Sequence, residues 1–459
     1  MCYGRHPRSP MRHRWPVLPI AVASLLALDP AAARADGFPK VLSIRERAET
    51  VNRITEARLE RLLPRIMRET GIDMWIIATT EDNLDPVFRT MMKYETWAPI
   101  DQLLVLYDPG PGKPIERLNV ARTNLKGLFQ DAWDHQAWDK EKKESQFACL
   151  ARIVRERDPK VIGINVGEVQ WAAGGLTVSM KRRLDAALDP KYVARMRSAE
   201  PLATLWLETL LDQELVIYER ATAVSHAIIS EAMSSRVITP GVSRVEDIDY
   251  YYWQRAAELG LQMSFTPHCS IRGRAPDVVE RYGEGDQTIR RGDLIHCDVG
   301  IVYLRYNTDH QEWAYVLQGG EDDVPAIFKE AMAETNKLQD IFVTSFAVGL
   351  TGDQILGSVL KKAREKGLRN PRVYSHSIGY YLHEPGPLVG LPWEQETNPG
   401  RGDVKVVDSS CFSAEMSTSI PLAEWGGKLL RISLEQNVAF AGGRMYFLDG
   451  RQTQFHLVR

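Results

Sequence analysis

Six acidic and imidazole side chains, several of them inside apolar runs, stand at spacings that could do metal chemistry. In RGDLIHCDVG (291–300) a Gly292-Asp293 turn leads into an apolar run that Asp298 interrupts, and Asp309 follows eleven residues later. An ionised carboxylate in an apolar strand is costly unless it is paired or bound to metal. Eleven residues let two antiparallel strands bring both carboxylates together, and a divalent cation would remove their repulsion. In YSHSIGYYLHEPGP (374–387), His376 and His383 stand seven apart around Gly379. Neutral imidazole is the commonest side chain at metal sites, so His376 is a candidate ligand. Glu415 in CFSAEM (411–416) and Glu435 in LRISLEQNVAF (430–440) repeat the pattern of a carboxylate among strand formers. Each segment alone is ambiguous, since polar residues at strand ends look the same.

The elements that must position these residues are mostly strands. Past Gln262 the chain is strand-rich, with strands predicted over 294–303, 313–317, 412–416 and 429–440. A long helix is predicted over 206–234, and another over 245–259 with Gly260 as C-cap. Upstream, 42–71 reads as largely helical, with Pro64 placed to kink or break it. Short apolar runs at 74–79, 103–107 and 161–165 read as buried strands, and Phe147, Leu150, Ile153 and Val154 mark a helix between them. This alternation predicts an α/β domain over 36–204, followed by a second domain over 205–459. Asp134, His135 and Asp139 read as a polar loop. There are no internal repeats.

The 459 residues carry a net charge of −3, with 44% hydrophobic and 25% charged side chains. That is the composition of an ordinary globular chain, and it lacks the basic excess of a nucleic-acid binder. The N-terminus differs from the rest. Arg5, Arg8, Arg12, His13 and Arg14 precede an apolar run over 15–28, and Ala33-Arg34-Ala35 fits the small-x-small cleavage rule. This layout predicts a signal peptide over 1–35 and an exported protein, periplasmic or secreted. The apolar run is shorter than the roughly 20 residues a bilayer needs, so no stable membrane span is expected after cleavage. Of five cysteines, Cys2 lies in the leader. Cys149, Cys269, Cys297 and Cys411 show no CxxC pairing, and their disulfide state stays open. No HExxH, GxSxG, phosphate loop or nucleotide fingerprint occurs.

Taken together and in this order, Asp298, Asp309, His376, His383, Glu415 and Glu435 resemble the pattern of the pita-bread metallohydrolases: methionine aminopeptidase, aminopeptidase P, prolidase and creatinase. The words GDLIHCDVG and HSIGYYLHEPGP match that family's first Asp strand and its His strand. The resemblance covers 205–459 and implies an α+β pita-bread catalytic domain. The α/β N-terminal domain, through GIDMWIIATTEDN (71–83), resembles the non-catalytic domain of the two-domain members. By resemblance Asp298 binds one divalent metal ion, His376 and Glu415 bind a second, and Asp309 and Glu435 bridge the two. Mn²⁺ is the first expectation, with Co²⁺, Fe²⁺ or Zn²⁺ as the others. The pair would activate a water for attack on the scissile carbonyl, with Glu415 as proton shuttle and His383 bonded to substrate. His268 is the further candidate for the substrate cleft. His296 reads either as support for Asp298 on the same strand face or as a core histidine, and His310 as facing away.

Three positions depart from the family pattern. A His expected seven residues after Gly273 is replaced by Glu280, with Arg281 next. The His expected four before His376 is Arg372. The Arg expected two before Glu435 is Ser433, with Arg431 four before. The ligand set is thus complete, while the residues that position substrate are altered. The resemblance implies a metallopeptidase that cleaves N-terminal Xaa-Pro bonds or Xaa-Pro dipeptides, and a homodimer. Alternatives are a small-metabolite C–N hydrolase or lyase on the same scaffold, or a binding protein that retains the fold without turnover.

Overall fold

A helix opens the described part of the chain because Ser43 and Glu46 cap each other. The Ser43 hydroxyl accepts from Glu46 N, and Glu46 Oε2 accepts from Ser43 N at 2.8 Å, which fixes the start of α1 (Ile44–Ala57). The computed structural model describes residues 37–137, 141 and 143–459. The signal-peptide expectation and Asp139 therefore lie outside the described residues. Pro64 does not break the helix. A π-helical turn, Arg58–Leu62, precedes it, and α2 (Leu63–Thr70) continues until Gly71, whose φ of +69° closes it. The wider turn accommodates the missing proline N–H.

The N-terminal region follows as β1 (Met74–Thr80), α3 (Pro86–Thr90), β2 (Asp101–Tyr107), β3 (Glu116–Asn119), β4 (Gln130–Asp131), α4 (Gln146–Arg157), β5 (Ile162–Ile164), α5 (Val178–Ala187), α6 (Pro190–Val193) and β6 (Met196–Ser198). These strands make one mixed sheet in the order β4-β3-β2-β1-β5-β6. Met74, Ile76, Val105 and Ile162 from the sheet pack against Leu150, Val154, Met180 and Leu184 from α4 and α5.

The helix predicted over 206–234 is two helices, α7 (Glu200–Glu208) and α8 (Asp212–Ala232). The break is made by a buried charge pair. Glu214 turns back to accept from Leu211 N at 2.8 Å, starting a new helix there, and Arg58 Nη1 donates to Thr209 O at 2.9 Å. Then come α9 (Glu246–Glu258), with Gly260 at φ +64° behind it, β7 (Gln262–Met263), β8 (His268–Gly273), α10 (Pro276–Tyr282), β9 (Leu294–Val299), β10 (Ile301–Tyr303), β11 (Tyr306–Asn307) and β12 (His310–Val316). The chain continues as α11 (Ala326–Val343), α12 (Gly352–Glu365), β13 (Arg372–Ser377), β14 (Ser410–Leu422), β15 (Lys428–Ala441), β16 (Arg444–Phe447) and β17 (His456–Val458).

The sequence reading passed over α10, α11 and α12. Yet α12 carries its own signal, a capping box of Thr351 and Gln354. Six strands run β13-β14-β15-β12-β9-β8, and β16 and β17 complete that sheet; β11-β10-β7 forms a small third one. Phe412, Ala414, Met416, Val438 and Phe440 on β14 and β15 pack against Leu338, Phe342, Ile355 and Val359 of α11 and α12. Those helices therefore cover one face of β14 and leave the alternate residues, Ser413, Glu415 and Ser417, to the other. Residues from Pro39 onward make one compact unit. No helix among the described residues is long and apolar enough to cross a membrane.

The pair that breaks the helix also ties the two regions together. Arg58 and Glu214 meet at 2.8 Å with both side chains fully buried, and Tyr306 and Tyr380 donate to Glu214 Oε1 at 2.8 and 3.0 Å. Removing one member of such a pair leaves the other's charge buried and uncompensated. Glu214→Ala is expected to lower stability by roughly 3–5 kcal/mol in chemical denaturation. A loss under about 1 kcal/mol would show that the pair does not join the regions.

Candidate metal centre

Strand register places the candidate residues in one line. Asp298 lies opposite Gln311, Gln311 opposite Glu435, Glu435 opposite Glu415, and Glu415 opposite Tyr374. His268 on β8 is opposite Asp298 at the other end. Residues directly opposite share a face, so a row of polar side chains crosses six strands. One step along, His376 lies opposite Ser413 and Ser413 opposite Asn437, whose Oδ1 accepts from Asp309 N at 3.1 Å. The eleven-residue spacing brings Asp298 and Asp309 to one face through the β9–β12 pairing. Gly300 is needed in the connection, because a Cβ there would lie 2.0 Å from Thr308 O.

Asp309, His376 and Glu435 are buried, and each offers a ligand atom within 4.8 Å of the others. Asp298 and Glu415 flank them and are only partly buried. His376 Nδ1 lies 3.1 Å from Ser377 O; since a carbonyl only accepts, Nδ1 carries the proton. Nε2 is then a bare lone pair, buried without a hydrogen-bond partner and 3.5 Å from Asp309 Oδ2. Burial pushes this imidazole down to about 4, keeping it neutral. Glu435 accepts from the Ser413 hydroxyl and, at 2.7 Å, from Gln311 Nε2. The Gln311 amide oxygen in turn lies 3.1 Å from His296 Nε2. His296 thus acts on Glu435 through Gln311 rather than on Asp298.

The carboxyls share one electrostatic problem. Burial first, and Asp309 second, push Asp298 up to about 8; burial pushes Asp309 up to about 7. Burial, with Asp298 and Asp309, pushes Glu415 up to about 8, and burial with the other three carboxyls raises Glu435 well above its ordinary value. Four acids crowded beside a neutral imidazole with an open lone pair fit divalent cations, whose charge reverses this balance. The donor set therefore fits the metal ions expected from the sequence.

The remaining candidates sit at the edges. His383 is exposed on the loop after β13, its ring 4.5 Å from that of His376 and nearly perpendicular. Its backbone oxygen accepts from Trp171 Nε1 of the N-terminal region at 2.8 Å. His268 is exposed at the end of the row. His310 faces the other way, 3.1 Å from the Ser225 hydroxyl on α8. Sequence reasoning missed Gln311, Ser413, Asn437 and Tyr374. Their signal was position: each lies on a strand beside a candidate ligand or two residues from one. Of the altered positions, Glu280 and Arg281 are exposed on α10, while Arg372 and Ser433 stand one step beyond the row. Cys149, Cys269, Cys297 and Cys411 are buried free thiols, with Cys269 and Cys297 opposite each other.

Residues 217–439 match the family model for metallopeptidase family M24. This segment is similar to metallopeptidase family M24. The fold is shared with the X-Pro aminopeptidase from Thermotoga maritima MSB8, at 16% identity over 86% of this chain and 100% of that one, TM-score 0.58. A putative aminopeptidase P from Bacillus anthracis matches at 14% identity over 88% and 96%, TM-score 0.56. The Xaa-Pro dipeptidase from Bacillus anthracis matches at 16% over 90% and 99%, TM-score 0.52. At these identities the likeness is one of fold, and it extends across both regions. None of the curated proteins compared matches the chain.

The M24 segment's raised carboxyls have a consequence for stability. Without metal the folded state holds protons that the unfolded chain releases above about pH 4, so these groups' contribution falls as pH rises toward about 8. The metal-free protein is expected to melt progressively lower between about pH 5 and 8. Mn²⁺ should raise the melting temperature more at each step, since binding displaces those protons. Melting curves with chelator and with Mn²⁺ check this; a Mn²⁺ shift that ignores pH would mean the carboxyls are ionised without metal.

Proposed function

We propose that this chain is an exported dinuclear-metal peptidase that cleaves N-terminal Xaa-Pro bonds or Xaa-Pro dipeptides. The observation that carries the proposal is the row Asp298–Gln311–Glu435–Glu415 with Asp309 and His376 beside it. Asp298, Asp309, His376, Glu415 and Glu435 would hold two divalent ions, Mn²⁺ by first expectation, which supply a water of lowered pKa and polarise the scissile carbonyl. The protein groups do the rest. Glu415, partly open to a cavity, receives a proton and delivers it to the leaving amine. His383, neutral beside His376, hydrogen-bonds the substrate from the rim, and His268, exposed at the far end of the row, is the further candidate for substrate contact. The His296–Gln311 contact holds Glu435 in one orientation.

Export is supported by the leader over 1–35, and a homodimer by the resemblance to two-domain peptidases. A second reading, small-metabolite C–N hydrolysis or lyase chemistry, is favoured by one observation: Arg372 stands where the Xaa-Pro-specific members resembled here carry a His. The deciding experiment is metal content together with a panel of Xaa-Pro peptides, for the mature protein and for Asp309→Ala. About two equivalents of metal and cleavage reduced at least a hundredfold in the variant are expected, as for loss of a group acting in the transition state. Metal without cleavage of any peptide would favour the second reading. Failure to bind metal under any reconstitution would sink the mechanism.

A further inference from the structure

Two cysteines face each other across the last two strands of the large sheet, behind the metal centre. The sheet ends in the order β12-β9-β8, and Cys269 on β8 lies directly opposite Cys297 on β9. Side chains alternate along β9, so Cys297 points away from the face that carries Asp298. Its thiol lies 3.5 Å from the Sδ of Met233, just past α8. Both residues are almost fully buried, Cys269 at 4% exposure and Cys297 at 2%. Neither thiol takes part in the metal chemistry described above.

The kind of cross-strand pair they form decides what they can do. Antiparallel partners alternate between pairs that exchange two backbone hydrogen bonds and pairs that exchange none. Cys269 N is turned away from β9 and donates to Asp249 Oδ1 on α9 at 2.7 Å. The pair is therefore of the second kind, in which the Cα atoms stand about 4.5 Å apart and the side chains come closest. Cβ atoms in such pairs approach to about 4.5 Å. A disulfide spans about 3.5–4.5 Å between Cβ atoms and about 4.4–6.8 Å between Cα atoms, so it fits with little movement of either strand. The two thiols already act on each other: after burial, Cys297 is the largest influence holding the Cys269 thiol above its ordinary range. Among the described residues the other cysteines have no such neighbour. Cys411 on β14 faces Ala439, and Cys149 on α4 lies 3.4 Å from both Ala132 O and Arg152 Nη2.

We propose that Cys269 and Cys297 are a redox-modification site, a cross-strand disulfide formed by exchange with the disulfide form of a dithiol oxidant. The Cys269 thiolate, on the edge strand, attacks one sulfur of the oxidant's disulfide and expels the other as a thiolate. The Cys297 thiolate then attacks Cys269 Sγ and expels the remaining oxidant sulfur, which closes the Sγ–Sγ bond. The two cysteines give up two electrons and two protons, and the oxidant takes up both as its dithiol. Buried thiols exchange while the edge strand is open, during folding or local unfolding of β8. Once closed, the bond ties the strand that carries His268 to the strand that carries Asp298, one residue from where those two lie opposite each other. It also restrains the unfolded chain over 269–297. The bond forms or fails whatever reaction the metal centre catalyses.

The test holds the full chain just below its melting temperature, so that β8 opens, in glutathione buffer rich in the disulfide form. Remaining thiols are then blocked under denaturing conditions, and tryptic peptides are mapped without reduction. Trypsin cuts after Arg272 and Arg291, which puts the two cysteines on separate peptides. A linked pair of peptides carrying Cys269 and Cys297, separated by reduction, is expected, with Cys149 and Cys411 blocked as free thiols. Cys269 and Cys297 both blocked, or bonded to glutathione or another cysteine instead of each other, would overturn the proposal. The oxidised wild type should melt roughly 3 °C or more above the reduced form. Cys297→Ala should melt alike in both buffers, and the mapping of wild type stands even where that variant fails to fold. Equal melting of oxidised and reduced wild type, with the linked peptides present, would overturn the tie between the strands.

Discussion

Everything in the catalytic half answers to one electrostatic constraint, the gathering of four carboxyls and an imidazole on a single face of an apolar sheet. A buried carboxylate needs a partner, and here the groups crowded against each acid are mainly other acids and a neutral ring, with Arg272 and Arg431 acting on Asp298 and Glu415 as smaller influences. The surroundings do what they can. Ser413 and Gln311 donate to Glu435, and Asn437 fixes the backbone at Asp309. These bonds orient the acids without neutralising them. The architecture can be read as scaffolding for that arrangement. Helices α11 and α12 bury the alternate residues of β14, which turns Glu415 and Ser413 to the opposite face. The Arg58–Glu214 pair then locks the N-terminal region against the helices behind the sheet.

The candidate ligands were legible because the signal was chemical. A charged residue inside an apolar, β-branched run contradicts local propensity, and Asp298, Glu415 and Glu435 each do so. The antiparallel pairing of the Asp298 and Asp309 segments followed from spacing alone. Less legible were features fixed by tertiary context. The long helix expected over 206–234 divides because Arg58, far away in sequence, takes Thr209 O while its partner Glu214 takes Leu211 N. No periodicity in the helix itself contains that information. Pro64 misleads in the opposite direction, since a π-turn absorbs its missing donor. Gln311 was missed because a glutamine in a strand raises no alarm. Its role appears only when cross-strand register sets it between Asp298 and Glu435.

Strand β12 shows why the acids of the centre differ from other buried acids in this chain. Its alternate residue Glu312 points to the opposite face and is as deeply buried as Asp309, each about 5% exposed. Burial acts to raise both. For Glu312, however, a 2.6 Å hydrogen bond from His456 and the nearby rings of His226 and His310 outweigh burial and hold the carboxyl down to about 2. Asp309 has no such cation supplied by the protein and rises to about 7. The segment 309–312, at the start of β12, thus carries a satisfied carboxylate on one face and an unsatisfied one on the other. If burial alone shaped these acids, the two faces would behave alike. The difference is that the chain supplies its own positive partners behind the sheet and leaves the front to be completed from outside, which is the arrangement a metal-dependent hydrolase requires.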